Sequence, residues 1–317
     1  MKMKKYDFSA VAEELSSADS ILILTHTSTD GDAVGSCVAA GLALKEMGKK
    51  VSYVVEKDKY GLDRFMEEMS HFGDPLSERY DLALCLDCST FDYMYGNENV
   101  SRCARVCVID HHKTNSGYGD VSLVDGTSAS CGEIVFELIR YLGVEVSRQM
   151  AHALYIAIST DTGNFIYSNA NSRTFRLVGE LYELYDDYYL IADRMRFSPM
   201  EALELMRLGL RNLLISDDGR FAVIRLIYEM GYTERLNITS DSLLDAVRYT
   251  EGIAVTVLVR QIGPDSFKIS LRSTDDRYDV SELALSMGGG GHAKAAGFSF
   301  EGSYAELEKK IREYYGF

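Results

Sequence analysis

Along the first half of the chain, short apolar runs alternate with stretches of helical period. Phe8, Val11 and Leu15 recur at helix spacing. Residues 21–25 then read as a strand, 33–47 as a helix ending near Gly48, and 51–55 as a second strand. The same alternation continues with a helix over 62–69, strands over 82–86 and 106–109, and a helix over 132–141 closed by Gly143. Strands that are apolar throughout and lie between helices predict a mostly parallel sheet covered on both faces. Residues 172–214 read as helical without a strand, and Pro199 suits the first turn of a helix running from Met200. Beyond them come a strand over 220–227 and a helix around 242–249. Strands over 253–261 and 266–272 then form a hairpin through Gly263-Pro264-Asp265, followed by a helix over 280–286, a glycine run, a short strand over 297–300 and a last helix over 304–315. The expected fold is α/β. A larger, mostly parallel-sheet domain occupies 1–185 and a smaller α/β domain 215–317, joined by a helical connector over 186–214.

A chain of 317 residues, 46% hydrophobic with 3 Pro, has the composition of an ordinary globular protein and the length for two domains. The apolar runs, such as 21–24 and 253–259, are far short of the roughly 20 residues that span a bilayer. Lys2, Lys4 and Lys5 lead into Tyr6, Asp7 and a helical pattern rather than a signal peptide's apolar stretch, so a cytoplasmic protein is expected. Forty-eight acidic against 33 basic residues leave a formal charge of −15. That balance argues against long nucleic acid or an anionic membrane as a partner, but small anions remain open where bound cations reverse the local potential. The six cysteines are expected as reduced thiols. A zinc site built from Cys85, Cys88, Cys103 and Cys107 is disfavoured, because Cys85 and Cys88 would face opposite ways on a continuing strand. Tyrosine is abundant, with 21 residues, but sits mostly at helical spacings and reads as packing.

The chemistry concentrates where polar clusters follow apolar elements, since open α/β sheets bind ligands outside the carboxyl ends of their strands. His26-Thr27-Ser28-Thr29-Asp30-Gly31-Asp32 follows the first strand, and taken alone Asp32 reads equally well as a cap for the helix at Ala33. Asp87 ends another strand, where a turn-forming role is the simpler reading of a single Asp. Asp110-His111-His112-Lys113-Thr114-Asn115 ends the next, and paired histidines behind an Asp suit a metal or an anion. Asp161 lies in Ser159-Thr160-Asp161-Thr162-Gly163, after an apolar helix, where it is expected to be buried. Together Asp30, Asp32, Asp87 and Asp161 bring about four negative charges to one rim, which two divalent ions would neutralise. A mixed histidine and carboxylate set favours Mn²⁺, and two such ions suit phosphoester hydrolysis. In the C-terminal part, Arg272-Ser273 ends a strand and Gly288-Gly289-Gly290-Gly291-His292 follows. This combination can expose backbone N–H groups and donors to a phosphate or a base, and it lacks the Lys-Ser/Thr ending of a P-loop.

The order of these motifs, and Asp110-His111-His112 in particular, resembles the DHH phosphoesterase superfamily with its DHH-associated C-terminal domain, over nearly the whole chain. The resemblance implies one Mn²⁺ on His26, Asp30, Asp87 and Asp161, and a second on Asp32, Asp87, His111 and Asp161. It also implies that His112 faces the scissile phosphate, that Asp110 orients the histidine loop, and that Asp87 serves catalysis by bridging the ions. Asn115, Arg272, Ser273, Gly289, Gly290, Gly291 and His292 are the implied substrate contacts. One departure is Ser28-Thr29, where many relatives carry Asn-Pro. Two domains without an added oligonucleotide-binding module are most similar to the nano-RNase and pAp phosphatase group. Short oligoribonucleotides, pAp or a di-adenylate are then the expected substrates, with the chain a monomer or homodimer. The alternatives are a phosphodiesterase dedicated to linear or cyclic di-adenylate, a family II pyrophosphatase and a non-catalytic nucleotide sensor.

Overall fold

The computed structural model describes residues 6–56, 66–195, 197, 199–233, 236 and 241–316. Two units divide the chain, 1–196 and 197–317. The first is built on a five-stranded sheet in the order β2-β1-β3-β4-β5, parallel throughout. Its strands are β1 (Ser20–Leu24), β2 (Lys50–Val54), β3 (Tyr80–Leu86), β4 (Cys103–Asp110) and β5 (Val121–Val124). β1 and β3 are almost wholly buried, as their unbroken apolar runs require of a sheet covered on both faces. Helix α1 (Ser9–Ser17) precedes the sheet. Helices α2 (Gly31–Glu46), α3 (Cys131–Tyr141), α4 (Arg148–Asp161), α5 (Ser172–Leu184) and α6 (Tyr188–Met195) follow in chain order, and all contribute to the main apolar core.

Where α2 meets α4, small residues set the spacing. A Cβ at Gly35 would collide with the Ala153 carbonyl oxygen and the Ala157 methyl, and one at Gly31 with Thr160. This close approach brings the N-terminus of α2 beside the C-terminus of α4, and so Asp32 beside Asp161. Gly35→Val should therefore cost roughly 3 kcal/mol of stability, because the obstruction is backbone and cannot swing aside. Urea unfolding measures it, and an unchanged midpoint would mean that the helices separate freely.

Unit 2 carries a six-stranded mixed sheet, β10-β11-β9-β8-β7-β6. Its strands are β6 (Leu213–Ile215), β7 (Phe221–Leu226), β8 (Val255–Gly263), β9 (Ser266–Ser273), β10 (Gly290–His292) and β11 (Ala295–Glu301). Helices α9 (Val280–Ser286) and α10 (Tyr304–Tyr315) complete one core. Helices α7 (Met200–Arg211) and α8 (Asp241–Arg248) pack on the other face over β7 and β8. The residues expected as a connector thus supply one helix to each unit, since Tyr188 and Ile191 of α6 join the first core while Leu205 and Leu208 of α7 join the second.

Three sequence expectations change. The helix expected over 62–69 is a 3-10 turn, Glu67–His71, and its part over 62–65 lies outside the described residues. Strands β5, β6 and β10 were not expected. They are three or four residues long at the sheets' margins, below the length at which alternation is legible. The glycine run is also no free loop. Gly291 pairs with Ala296 and takes φ +140°, and a Cβ at Gly289 would strike the Gly297 carbonyl, so glycine is what lets β10 lie flush on β11.

Candidate metal centre

The order 2-1-3-4-5 reverses direction between β1 and β3, and the crevice at such a reversal is where open sheets collect ligands. His26 follows β1, Asp87 follows β3 and Asp110 closes β4, so three of the four N-terminal motifs reach one sheet edge. The fourth arrives with the last residue of α4, Asp161.

Asp87 occupies the centre. Its backbone is left-handed (φ +52°), an uncommon state for a non-glycine residue that concentrates at functional sites. The turn returns Cys88 to the side of Cys85, so both lie in one apolar cluster with Leu22, Leu24 and Met94, contrary to the opposite facing expected from alternation. Asp87 is buried, with His26 Nε2 3.6 Å from Oδ2 and His111 Nε2 3.4 Å from Oδ1. Each ring is oriented from behind: His26 Nδ1 is 2.8 Å from the Thr27 carbonyl and His111 Nδ1 3.4 Å from that of Ser128. Nδ1–H donation in both leaves Nε2 turned inward, the arrangement that metal-ligating histidines adopt.

Three convergent groups result: His26, Asp30 and Asp87; Asp32, His111 and Asp161; and Asp87, His111 and His112, each with its ligand atoms within 4.8 Å of one another. The first two match most of each expected ligand set. Asp161 falls with Asp32 and His111, and its expected bridge to the His26 group is not among the convergent sets of the described residues. It is also part-exposed, 28% at its side chain, rather than buried as expected. The capping alternative for Asp32 is settled as well. Asp30 caps α2 through the Ala33 N–H (3.0 Å), while Asp32 accepts from Cys131 N (2.6 Å), Gly132 N (2.9 Å) and Ser36 Oγ (3.1 Å), at the N-terminus of α3.

The charges of the cluster favour a cation at its centre. Burial, then Asp87 and Asp161, push the Asp32 carboxyl well above its usual range. Burial pushes Asp161 up to about 6, against the pull of His111. Burial opposes ionisation of Asp87, yet the neighbouring His111 and His26 imidazoles hold it well below the carboxylate range. Burial likewise opposes charge on the histidines, but their carboxylate partners raise His26 to about 11 and His111 to about 10. Buried carboxylates that favour positive charge on both rings this strongly suit a divalent cation among them. Asp87 Oδ1 is buried without a hydrogen-bond partner, an open lone pair aimed into the cluster. Histidine nitrogens, carboxylates and that orphan oxygen fit a divalent metal. No cysteine belongs to any convergent group among the described residues.

Asp110 is fully buried and takes four donors. Oδ1 accepts from His111 N (2.8 Å), His112 N (3.1 Å) and His112 Nδ1 (2.7 Å), and Oδ2 from Asn115 Nδ2 (2.7 Å). The Asp110 hydrogen bond, opposed by burial, raises the His112 pKa and leaves Nε2 as the free nitrogen of a part-exposed ring. Asn115, expected to touch substrate, is engaged at both ends instead, since Nδ2 also reaches the Cys88 carbonyl and Oδ1 accepts from Gly117 N. It braces the histidine loop. At Ser28-Thr29, Glu56 supplies the rigidity that Asn-Pro would otherwise provide. Its carboxylate accepts from Ser28 N, and its carbonyl accepts from Thr29 Oγ1 at 3.3 Å.

In unit 2, strand register places His292 opposite Ala295, and Ala295 opposite Arg272, so Arg272 and His292 flank Ala295 on one sheet face. Gly290 faces open space. Ser273, expected beside Arg272 as a substrate contact, points the other way. It is buried and donates from Oγ to the Asp275 carbonyl (2.7 Å), where it closes a turn. Sequence reasoning missed Ser128, Glu133, Asn169 and Arg173, which support the centre from behind. The Ser130-x-x-Glu133 spacing of a capping box was the one available signal.

Comparison with known proteins bears directly on this arrangement. A model of the DHH family N-terminal domain matches residues 20–158, and a DHHA1 domain model matches 228–316. The chain is 31% identical, over 96% of its length and 93% of the relative's, to a Thermus thermophilus protein named bifunctional oligoribonuclease and PAP phosphatase NrnA. This chain belongs to the DHH family. A DHH relative of the same name from Bacillus subtilis is 24% identical over 89% of each chain. The solved structure of an exopolyphosphatase-related protein from Bacteroides fragilis superposes with a TM-score of 0.81 at 24% identity, covering 96% of this chain and 94% of that one, and so shares the fold. No helix among the described residues of this DHH protein is long and apolar enough to cross a membrane.

Proposed function

We propose that this DHH-family hydrolase is a Mn²⁺-dependent phosphoesterase that cleaves short oligoribonucleotides to mononucleotides and dephosphorylates pAp to AMP. The observation that carries the reading is the convergence of His26, Asp30, Asp32, Asp87, His111 and Asp161 in a chain alignable almost end to end with the Thermus protein named for those two activities. The mixed nitrogen and oxygen donor set favours Mn²⁺ over the all-oxygen surroundings of Mg²⁺. Bound there, two divalent ions supply a polarised water and neutralise the charge that develops on the phosphoryl group.

The remaining steps belong to the chain. Asp110 holds His112 by Nδ1 and favours its protonated form, so that Nε2–H can donate to a phosphoryl oxygen as negative charge accumulates. Asp32 and Asp161 are kept in reach of His111 by the close packing of α2 on α4. We assign substrate contacts to Arg272, His292 and the backbone at 289–291, a donor set suited to phosphate and base edges. A charge of −15 agrees with short substrates, because a long strand would need a continuous basic track.

The test is chromatographic product analysis with Mn²⁺ and, separately, pApA, pAp, pyrophosphate and a mixed-sequence RNA trimer. AMP from pApA and pAp together with mononucleotides from the trimer is the expected result. Cleavage of pApA alone would replace the reading with a di-adenylate phosphodiesterase. Turnover of pyrophosphate alone would replace it with a pyrophosphatase, and the absence of any product would leave a nucleotide sensor.

A further inference from the structure

Behind the His111 side of the centre lies a buried ionic cluster that the chemistry above does not use. Arg173, near the start of α5, has its backbone N–H taken by the Asn171 carboxamide oxygen (2.8 Å) and its side chain only 15% exposed. Its guanidinium meets three carboxylates. Nη2 bonds Glu137 Oε2 at 2.7 Å, and Nη1 lies 3.7 Å from both Asp125 Oδ2 and Glu133 Oε2. The Tyr6 ring covers its face at 4.7 Å, and the Tyr6 hydroxyl donates to Asp125 at 2.9 Å. Asp125 and Glu133 are buried at the two ends of one segment, so without a cation they would repel each other in a medium that screens poorly.

That segment, 125–133, orients the metal group. Asp125 receives Thr127 N (3.0 Å) and Thr127 Oγ1 (2.7 Å), and Glu133 receives Ser128 Oγ (2.9 Å) and Ala129 N (3.3 Å). The Ser128 carbonyl then faces His111 Nδ1, and the N–H groups of Cys131 and Gly132 hold Asp32. The link from α4 to α5 adds the third member, since Asn169 Nδ2 donates to both the Asp161 carbonyl (3.0 Å) and the Ala129 carbonyl (3.1 Å). All three residues of the Asp32, His111 and Asp161 group are therefore supported from this segment. His26 and Asp30 are fixed elsewhere, by the Thr27 carbonyl and the start of α2.

We infer that Arg173 is a positioning residue for the second metal: by neutralising Asp125 and Glu133 it holds segment 125–133 in the shape that presents His111 and Asp32. The inference rests on the metal-dependent reading given above. Supports of this kind change metal affinity by roughly 10- to 100-fold when removed. A generic core residue would lower the melting temperature and leave affinity alone.

The experiment is Mn²⁺ titration of the folded, metal-stripped full chain by calorimetry and by electron paramagnetic resonance, with circular dichroism as the folding check. Wild type should bind two equivalents. Arg173→Met should weaken one of them about 10-fold or more and leave the other unchanged. Arg173→Lys keeps the charge without the fork that reaches three carboxylates, and should lose about three- to tenfold. Two equivalents at wild-type affinity in a folded Arg173→Met protein would overturn the inference. Should that variant not fold, Arg173→Gln, which removes the charge and keeps a polar side chain, decides in its place, and affinities within about twofold of wild type would overturn the inference equally. A wild type that binds no Mn²⁺ would instead overturn the metal-dependent reading, and the inference with it.

Discussion

Asp87→Asn should lower kcat on pApA by about 10³-fold or more, some 4 kcal/mol of transition-state stabilisation, at Mn²⁺ concentrations that saturate the wild type. Asparagine is the informative replacement because it tolerates the left-handed backbone that Asp87 adopts, whereas alanine would add strain. The amide keeps the shape and removes the charge shared by His26 and His111. Metal-dependent stabilisation should vanish with it. Wild type should melt higher as Mn²⁺ is added, because a ligand that binds only the folded state stabilises it, and Asp87→Asn should melt at one temperature throughout. Turnover near the wild-type value would remove Asp87 from the centre.

Asp110→Ala should be the next most damaging change, for a different reason. The substitution deletes a fully buried acceptor that serves two backbone N–H groups, one imidazole and one carboxamide. Stranding those donors should cost about 3 kcal/mol in urea unfolding. Releasing the His112 ring should cost about 10²-fold in kcat, the scale of a lost positioned acid. Full-length product assays beside denaturation curves separate the two effects. A folded variant with intact kcat would show that His112 needs no anchor.

Both expectations start from residues visible in the primary structure, and the extent of that visibility has a physical pattern. Asp87, Asp110, His111 and His26 were legible because each follows a buried strand, and a strand's apolar run is a local signal over five to eight residues. Position at a carboxyl end then follows from chain direction in a parallel sheet. Asn115 and Ser273, implied as substrate contacts by resemblance alone, have side chains that turn inward to close their own loops, a role that their neighbours in sequence do not reveal. For Asp32, capping and metal binding stood level on local sequence alone, because the partners that decide between them, Cys131 and Gly132, lie about a hundred residues away.

Legible in the chain alone were the α/β class, the order of the longer strands and of most helices, the four acidic and histidine motifs, and through them the DHH family. All of these are set by periodicity or by short spacing, which chain connectivity alone enforces. Folding in three dimensions was needed to settle which carboxylate joins which histidine, that Asp30 rather than Asp32 caps α2, and that glycines form the edge strand β10. It alone brought Arg173 onto Asp125, Glu133 and Glu137. Those outcomes depend on how closely α2, α3 and α4 pack and on which buried charges must find a partner. Such long-range compensation leaves no periodic trace in the chain that carries it.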